Sequence, residues 1–108
     1  MFNLFKKNYF VIPMAKAKEN IDNDPSIIII DVRTPEEYKS GHIPKAINLP
    51  LDKIDKIKST VKDMDAVIYV YCHSGARSSQ ACNYFSKIGY TNVTNIGGVG
   101  SWPGTLKK

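Results

Sequence analysis

The chain has 108 residues, a hydrophobic fraction of 43% and a formal net charge of +5, so it can bury one small core and is too apolar for a disordered tail. Its 15 Lys and Arg are interleaved with 10 Asp and Glu rather than gathered into a stripe, which argues against a nucleic-acid binder, and no run approaches the ~20 apolar residues of a membrane span. With two cysteines, Cys72 and Cys82, and no CxxC pair, neither a disulfide framework nor a zinc set is expected; the reading is a cofactor-free protein of a reducing, cytoplasmic compartment.

All 108 residues are assigned to one domain, with residues 1–8 as a candidate flexible start. The apolar run Tyr9 to Ala15 before Ala15-Lys16-Ala17 has the outline of a cleaved leader, but it is short and holds Pro13, so Tyr9 to Ile12 is read as a first strand. Ile27 to Ile30 is a continuous β-branched run, followed by Asp31 and Val32, as in a strand buried on both faces, and belongs in the middle of a sheet. Thr34-Pro35-Glu36-Glu37 combines a cap residue, Pro at the first helical position and Glu three residues after the cap, predicting a short helix that Gly41 ends. Ala46 to Leu49 is a short strand candidate.

Leu51, Ile54, Ile57, Val61 and Met64 recur at spacings of three and four, with Lys53, Lys56, Lys58 and Lys62 between them, predicting one amphipathic helix with a solvated lysine face. Ala66 to Tyr71 is a second buried strand, ending directly at Cys72. Ala81, Phe85 and Ile88 form the apolar stripe of a helix over Ala76 to Lys87 that stops at Gly89, and Val93 to Ile96 is a last strand. Alternating strands and helices predict an α/β fold with a parallel sheet covered on both faces.

The chemistry concentrates in Cys72-His73-Ser74-Gly75-Ala76-Arg77-Ser78, a cysteine between a buried strand and a helix start. In an open α/β sheet ligands bind at the carboxyl ends of strands, where loop amides and helix N-termini favour an anion. Such a cradle lowers a thiol pKa and makes Cys72 the candidate nucleophile. Arg77 offers a forked donor for an oxyanion, Gly75 a tight turn, and Ser74 and Ser78 hydroxyl donors. A lone cysteine is ordinarily a small buried hydrophobe, and that reading is kept for Cys82, mid-helix with no basic neighbour in sequence.

Four segments, in this order and spacing, resemble the rhodanese-like family: Asp31-Val32-Arg33-Thr34-Pro35-Glu36-Glu37-Tyr38, then Gly41-His42-Ile43-Pro44 with Ala46-Ile47-Asn48, then the Cys72 loop, then Gly97-Gly98 with Trp102. The resemblance implies a five-stranded parallel sheet with helices on both sides. It also implies a sulfurtransferase in which the Cys72 thiolate takes the outer sulfur of thiosulfate as a persulfide and passes it to a thiol, cyanide or a thioredoxin-like acceptor. It further implies that Asp31 and Arg33 sit near the loop and brace it, and that His42 supports the fold beside the site, where a satisfied structural histidine is favoured over a general base. Trp102 is read as packing.

Many relatives carry Arg directly after the nucleophile, whereas this chain has His73. The loop is therefore less cationic, which implies a pH-dependent affinity for thiosulfate or a different donor, such as a persulfide. A cysteine phosphatase or arsenate reductase is the nearest rival, but such loops place five residues between Cys and Arg, against four here. A non-enzymatic platform is weighed against the retained nucleophile, and a partner-specific sulfur carrier stays open, because fold and loop do not identify the acceptor.

Overall fold

Runs of β-branched and aromatic residues with no polar alternation must be covered on both sides, and two of them form the middle of the sheet. The computed structural model describes residues 8–108, in which five strands are joined by helical connections: β1 (Phe10–Val11), α1 (Met14–Asn23), β2 (Ile28–Asp31), α2 (Pro35–Ser40), β3 (Ile47–Asn48), α3 (Ile57–Thr60), β4 (Val67–Cys72), α4 (Ala76–Lys87) and β5 (Asn92–Gly98). The proposed flexible stretch at 1–8 falls almost wholly on residues outside those described. All pairings are parallel, in the order β1-β5-β4-β2-β3, with β4 at the centre.

The alternation along β4 sorts the core into two layers. Ile68, Val70 and Cys72 face one side, with Ala81, Cys82 and Phe85 of α4 and Ile57 of α3. Tyr69 and Tyr71 face the other, with Met14 and Ala17 of α1. The sheet is therefore covered on both faces, as the resemblance implies.

Three expectations are corrected. The run from Leu51 to Met64 is not one helix: Leu51–Lys56 is a 3₁₀ segment, Lys53 leaves helical geometry at φ −126° and ψ 16°, and α3 is four residues long before Val61 turns extended. The apolar stripe still does its work, since Leu51, Ile54, Ile57, Val61 and Met64 all pack against the α4 side of the core. The first strand is two residues, Phe10–Val11, rather than Tyr9 to Ile12. The helix α1 has no counterpart among the predicted elements: Pro13 caps it without a side-chain bond and its last turn holds no basic residue, so its start is unmarked and Pro25, two residues past Asn23, marks its end. Among the described residues no helix is long and apolar enough to cross a membrane.

The predicted cap is present in detail. Thr34 Oγ1 accepts from the Glu37 amide at 3.2 Å, while Glu37 Oε1 accepts from the Thr34 amide at 3.0 Å, and Gly41 closes α2.

Candidate active site

Cys72 is the last residue of β4, and three residues later Gly75 starts α4 in the left-handed region at φ 99°. That conformation suits glycine, and it leaves α4 without a side-chain cap, so the amides of its first turn are available to something else. They turn to sulfur. The Gly75 N–H donates to Cys72 Sγ at 2.9 Å, and the Ser78 hydroxyl lies 3.5 Å from the same atom.

Cys72 is fully buried, and burial alone would push its thiol up. Against that act the Ser78 hydroxyl and the amides of Ser78, Gly75 and Ser74, and together they hold the thiol below its ordinary value. The loop's outer residues His73, Ser74 and Ala76 are exposed, so the buried sulfur is flanked by solvent-facing chain.

The end of β5 supports the loop from beside it. Pairing between β4 and β5 shifts between Val70 and Tyr71, which sets Gly97 opposite Tyr71 and Gly98 opposite Cys72. A Cβ at Gly98 would lie 2.3 Å from the His73 carbonyl oxygen and 3.2 Å from Ser74 Cα, so only glycine lets the strand touch the loop backbone there. Asn95, buried three residues before Gly98, reaches into the loop: its Oδ1 lies 2.8 Å from Ser78 Oγ and its Nδ2 donates to the Gly75 carbonyl at 3.3 Å.

Arg77 differs from its expected use. Its guanidinium sits beside the loop, but Nη1 and Nη2 donate to Glu37 Oε1 and Oε2 at 2.7 and 3.0 Å, so the fork is occupied by a carboxylate of α2. Arg77, with the Thr34 amide and hydroxyl, holds the Glu37 carboxyl down at about 2.

Asp31 and Arg33 form a buried ion pair, with Nη2 to Oδ2 at 2.7 Å. Its outward contacts run away from the cysteine loop: Arg33 donates to the Gly41 carbonyl at 2.6 Å and lies over the ring of Tyr71, whose phenol oxygen accepts from the Ile43 amide at 3.0 Å. The pair thus ties α2 and its following turn to β4, and its link to the loop is the strand under Cys72. His42 stacks on Tyr38 with ring centroids 3.7 Å apart, and its Nδ1 donates to the Tyr38 carbonyl at 2.8 Å. It touches no loop residue by these contacts.

Cys82 lies in α4, fully buried in the same apolar layer. Burial, and then the nearby Cys72, push its thiol far up. Among the described residues no group of three or more His, Cys, Asp and Glu side chains is placed to hold a metal ion. Next to the loop a groove of about 530 Å³ opens between α2 and the 3₁₀ segment, with Val32, Pro35, Pro50 and Leu51 as apolar walls and Arg77 at its rim.

Two residues of this site, Glu37 and Asn95, were not among the candidates. In sequence Glu37 stands as half of a capping box and within the first family-like segment, neither of which points it at Arg77, and a lone Asn in a strand carries no signal.

A family model described as the rhodanese-like domain matches residues 14–104. A Bacillus subtilis protein provisionally named a sulfur carrier, YrkF, is 37% identical over 94 residues, 86% of this chain and 50% of that protein, so the chain spans half of that relative's length. The thiosulfate sulfurtransferase PspE of Escherichia coli is 44% identical over 71 residues, 65% of this chain and 68% of the relative. A solved rhodanese from Escherichia coli, determined with anions, superposes with a TM-score of 0.72 at 38% identity, covering 76% of this chain and 98% of that one.

Proposed function

The chain belongs to the rhodanese-like domain family, and from that premise we propose that it is a sulfurtransferase that moves sulfane sulfur from thiosulfate, or a persulfide donor, to a thiophilic acceptor through a persulfide on Cys72. Relatives named as sulfurtransferases and sulfur carriers support sulfur transfer of the rhodanese type. The observation that carries the finer reading is a fully buried sulfur met by the Gly75 amide at 2.9 Å and by the Ser78 hydroxyl.

In the reaction the thiolate attacks the outer sulfur of thiosulfate. A new S–S bond forms, the original one breaks, and its electron pair leaves with sulfite, so the charge of minus three on the reactants reappears as persulfide plus sulfite. The negative charge moves from Sγ to the terminal sulfur. Amides arranged around one anionic sulfur can serve the next one outward, and fixed dipoles need no reorganisation during the step. Attack by an acceptor thiolate, cyanide or a thioredoxin-like protein on the terminal sulfur then regenerates Cys72. Two free cysteines suit a reducing, cytoplasmic setting.

One observation favours a second reading. The relative named a sulfur carrier is twice as long as the matched part, and the apolar groove beside Arg77 offers room for more than a small anion. A partner-specific carrier would deliver sulfur to a thioredoxin-like protein at rates far above those for small thiols, whereas a generalist enzyme would not discriminate.

The intact mass of fully reduced protein, recorded before and after thiosulfate with Cys72→Ser alongside, tests the proposal. A gain of one sulfur in the wild type alone, reversed by cyanide or a dithiol, is the expected result. No gain rejects thiosulfate as donor, and no gain with a low-molecular-weight persulfide either rejects the sulfurtransferase reading for Cys72.

A further inference from the structure

We propose that Asn95 is a positioning residue that holds the hydroxyl proton of Ser78 whenever the Cys72 sulfur is uncharged and yields it when that sulfur is anionic. The orientation of the Asn95 amide leaves little freedom. Its Oδ1 accepts from the Gly97 N–H at 3.0 Å, and its Nδ2 donates to the Gly75 carbonyl at 3.3 Å. A peptide N–H only donates and a carbonyl only accepts, so flipping the amide would break both bonds. The atom that faces Ser78 is therefore an acceptor.

Ser78 has one hydroxyl proton and three acceptors within reach: Asn95 Oδ1 at 2.8 Å, the Gly75 carbonyl at 3.1 Å and Cys72 Sγ at 3.5 Å. The Gly75 carbonyl already takes the Ser79 amide at 3.1 Å and Asn95 Nδ2. Asn95 Oδ1 is the shortest and best placed, so in the thiol state the hydroxyl donates there and turns its lone pairs to the sulfur. When Cys72 ionises, a charged acceptor outbids a neutral one, and the hydroxyl rotates to the sulfur without Ser78 losing its proton. In a persulfide the inner sulfur is bonded on both sides and uncharged, so the hydroxyl returns to Asn95.

Asn95 thus disfavours the free thiolate and favours the loaded form, a consequence that rests on the persulfide reading. The acid–base part does not. The charged and titratable groups around Cys72 are His73 in the loop, Arg77 and Cys82 on α4, and Asp31 on β2, while β5 from Asn92 to Gly98 contributes none.

The test is the pH dependence of Cys72 alkylation by iodoacetamide, with the modified residue located by peptide mass, in wild type, Asn95→Leu, Asn95→Asp, Ser78→Ala and the Ser78→Ala/Asn95→Leu pair. Asn95→Leu frees the hydroxyl for the sulfur and is expected to lower the midpoint by about half a unit or more, the scale of one hydrogen bond. Asn95→Asp holds the hydroxyl more tightly and adds a negative charge, so it raises the midpoint. In the Ser78→Ala background Asn95→Leu has no further effect. A merely structural Asn95 would move both variants the same way, and that result, or a drop that persists without the Ser78 hydroxyl, overturns the proposal. Should Asn95→Leu fail to fold, the upward shift of Asn95→Asp must shrink when Ser78 is Ala; an unchanged shift equally overturns it. Because alkylation needs no sulfur donor, the pattern can hold while thiosulfate loads nothing, which would sink the functional reading and leave Asn95 in its role.

Discussion

Cys72 and Cys82 are both fully buried, both lie on the α4 side of the sheet, and both belong to the same apolar cluster, yet their thiols are driven in opposite directions. Cys82 sits inside α4, where every nearby amide is committed to the helix ladder, and burial raises its thiol unopposed. Cys72 sits where a strand ends and a helix has not yet begun, so the Gly75 N–H is free to donate to its sulfur and the neighbouring amides act to lower its thiol. What separates the proposed nucleophile from its buried neighbour is the supply of unspent donors, not exposure.

The sharpest way to break that contrast is to remove each thiol in turn. Cys72→Ser is expected to reduce sulfur transfer by about 10³-fold or more, since it removes the attacking atom, whereas Cys82→Ser keeps most of the rate and loses about 1–3 kcal/mol of stability for a buried hydroxyl. Steady-state transfer rates with chemical denaturation of both variants decide it. Equal loss of rate in both would mean a two-cysteine mechanism.

A smaller change asks whether donor placement alone makes the difference. At Gly98 an added Cβ meets the backbone of His73 and Ser74, the first at 2.3 Å, and backbone cannot swing aside as a side chain can; at Gly100 nothing lies within 4 Å. Gly98→Ala should therefore shift the loop and lower transfer by about 10²-fold, the scale of an ångström of misplacement, while Gly100→Ala leaves the rate unchanged. If Gly98→Ala transfers sulfur normally, the loop does not depend on this contact and the close fit of β5 is incidental.

Legibility from sequence followed the range of each interaction. The capping box of α2, the β-branched strands and the α4 stripe are written within a few residues, and all were readable. The position of Cys72 was readable for the same reason, because a buried strand, a glycine and a helix start are neighbours in the chain. The pairs that complete the site are distant in sequence: Glu37 with Arg77, and Asn95 with Ser78 and Gly75. Arg77 looked like a free oxyanion donor because nothing near it in sequence indicates that a carboxylate of α2 fills its fork. The 3₁₀ break at Lys53 shows the converse limit, since an apolar period of three and four describes which side chains face inward and is satisfied equally by two short helical pieces. No side-chain cap marks the start of α1, whose Met14 and Ala17 are nonetheless core residues, so tertiary packing rather than capping selects it.

The last and smallest test separates near donors from distant charge. Glu37 has its carboxyl held at about 2, chiefly by Arg77, against an ordinary value of 4.5, so its folded form is depressed. Its contribution is therefore complete above pH 4.5 and is lost as the pH falls from there towards 2. Both side chains are 32% exposed, so solvent screening cuts the formal linkage to about 1 kcal/mol, roughly 4–8 °C in Tm for a chain of this size. Glu37→Gln should show that deficit at pH 7, and the gap to wild type should narrow steadily between pH 4.5 and 2. The same substitution releases Arg77, whose charge interacts with Cys72. If unspent amides and the Ser78 hydroxyl set the thiol, Glu37→Gln moves the Cys72 alkylation midpoint downward, and by less than Ser78→Ala raises it. A larger shift from Glu37→Gln would assign the difference between the two cysteines to the arginine, and the loop's donors would then be secondary to a charge that Glu37 holds in check.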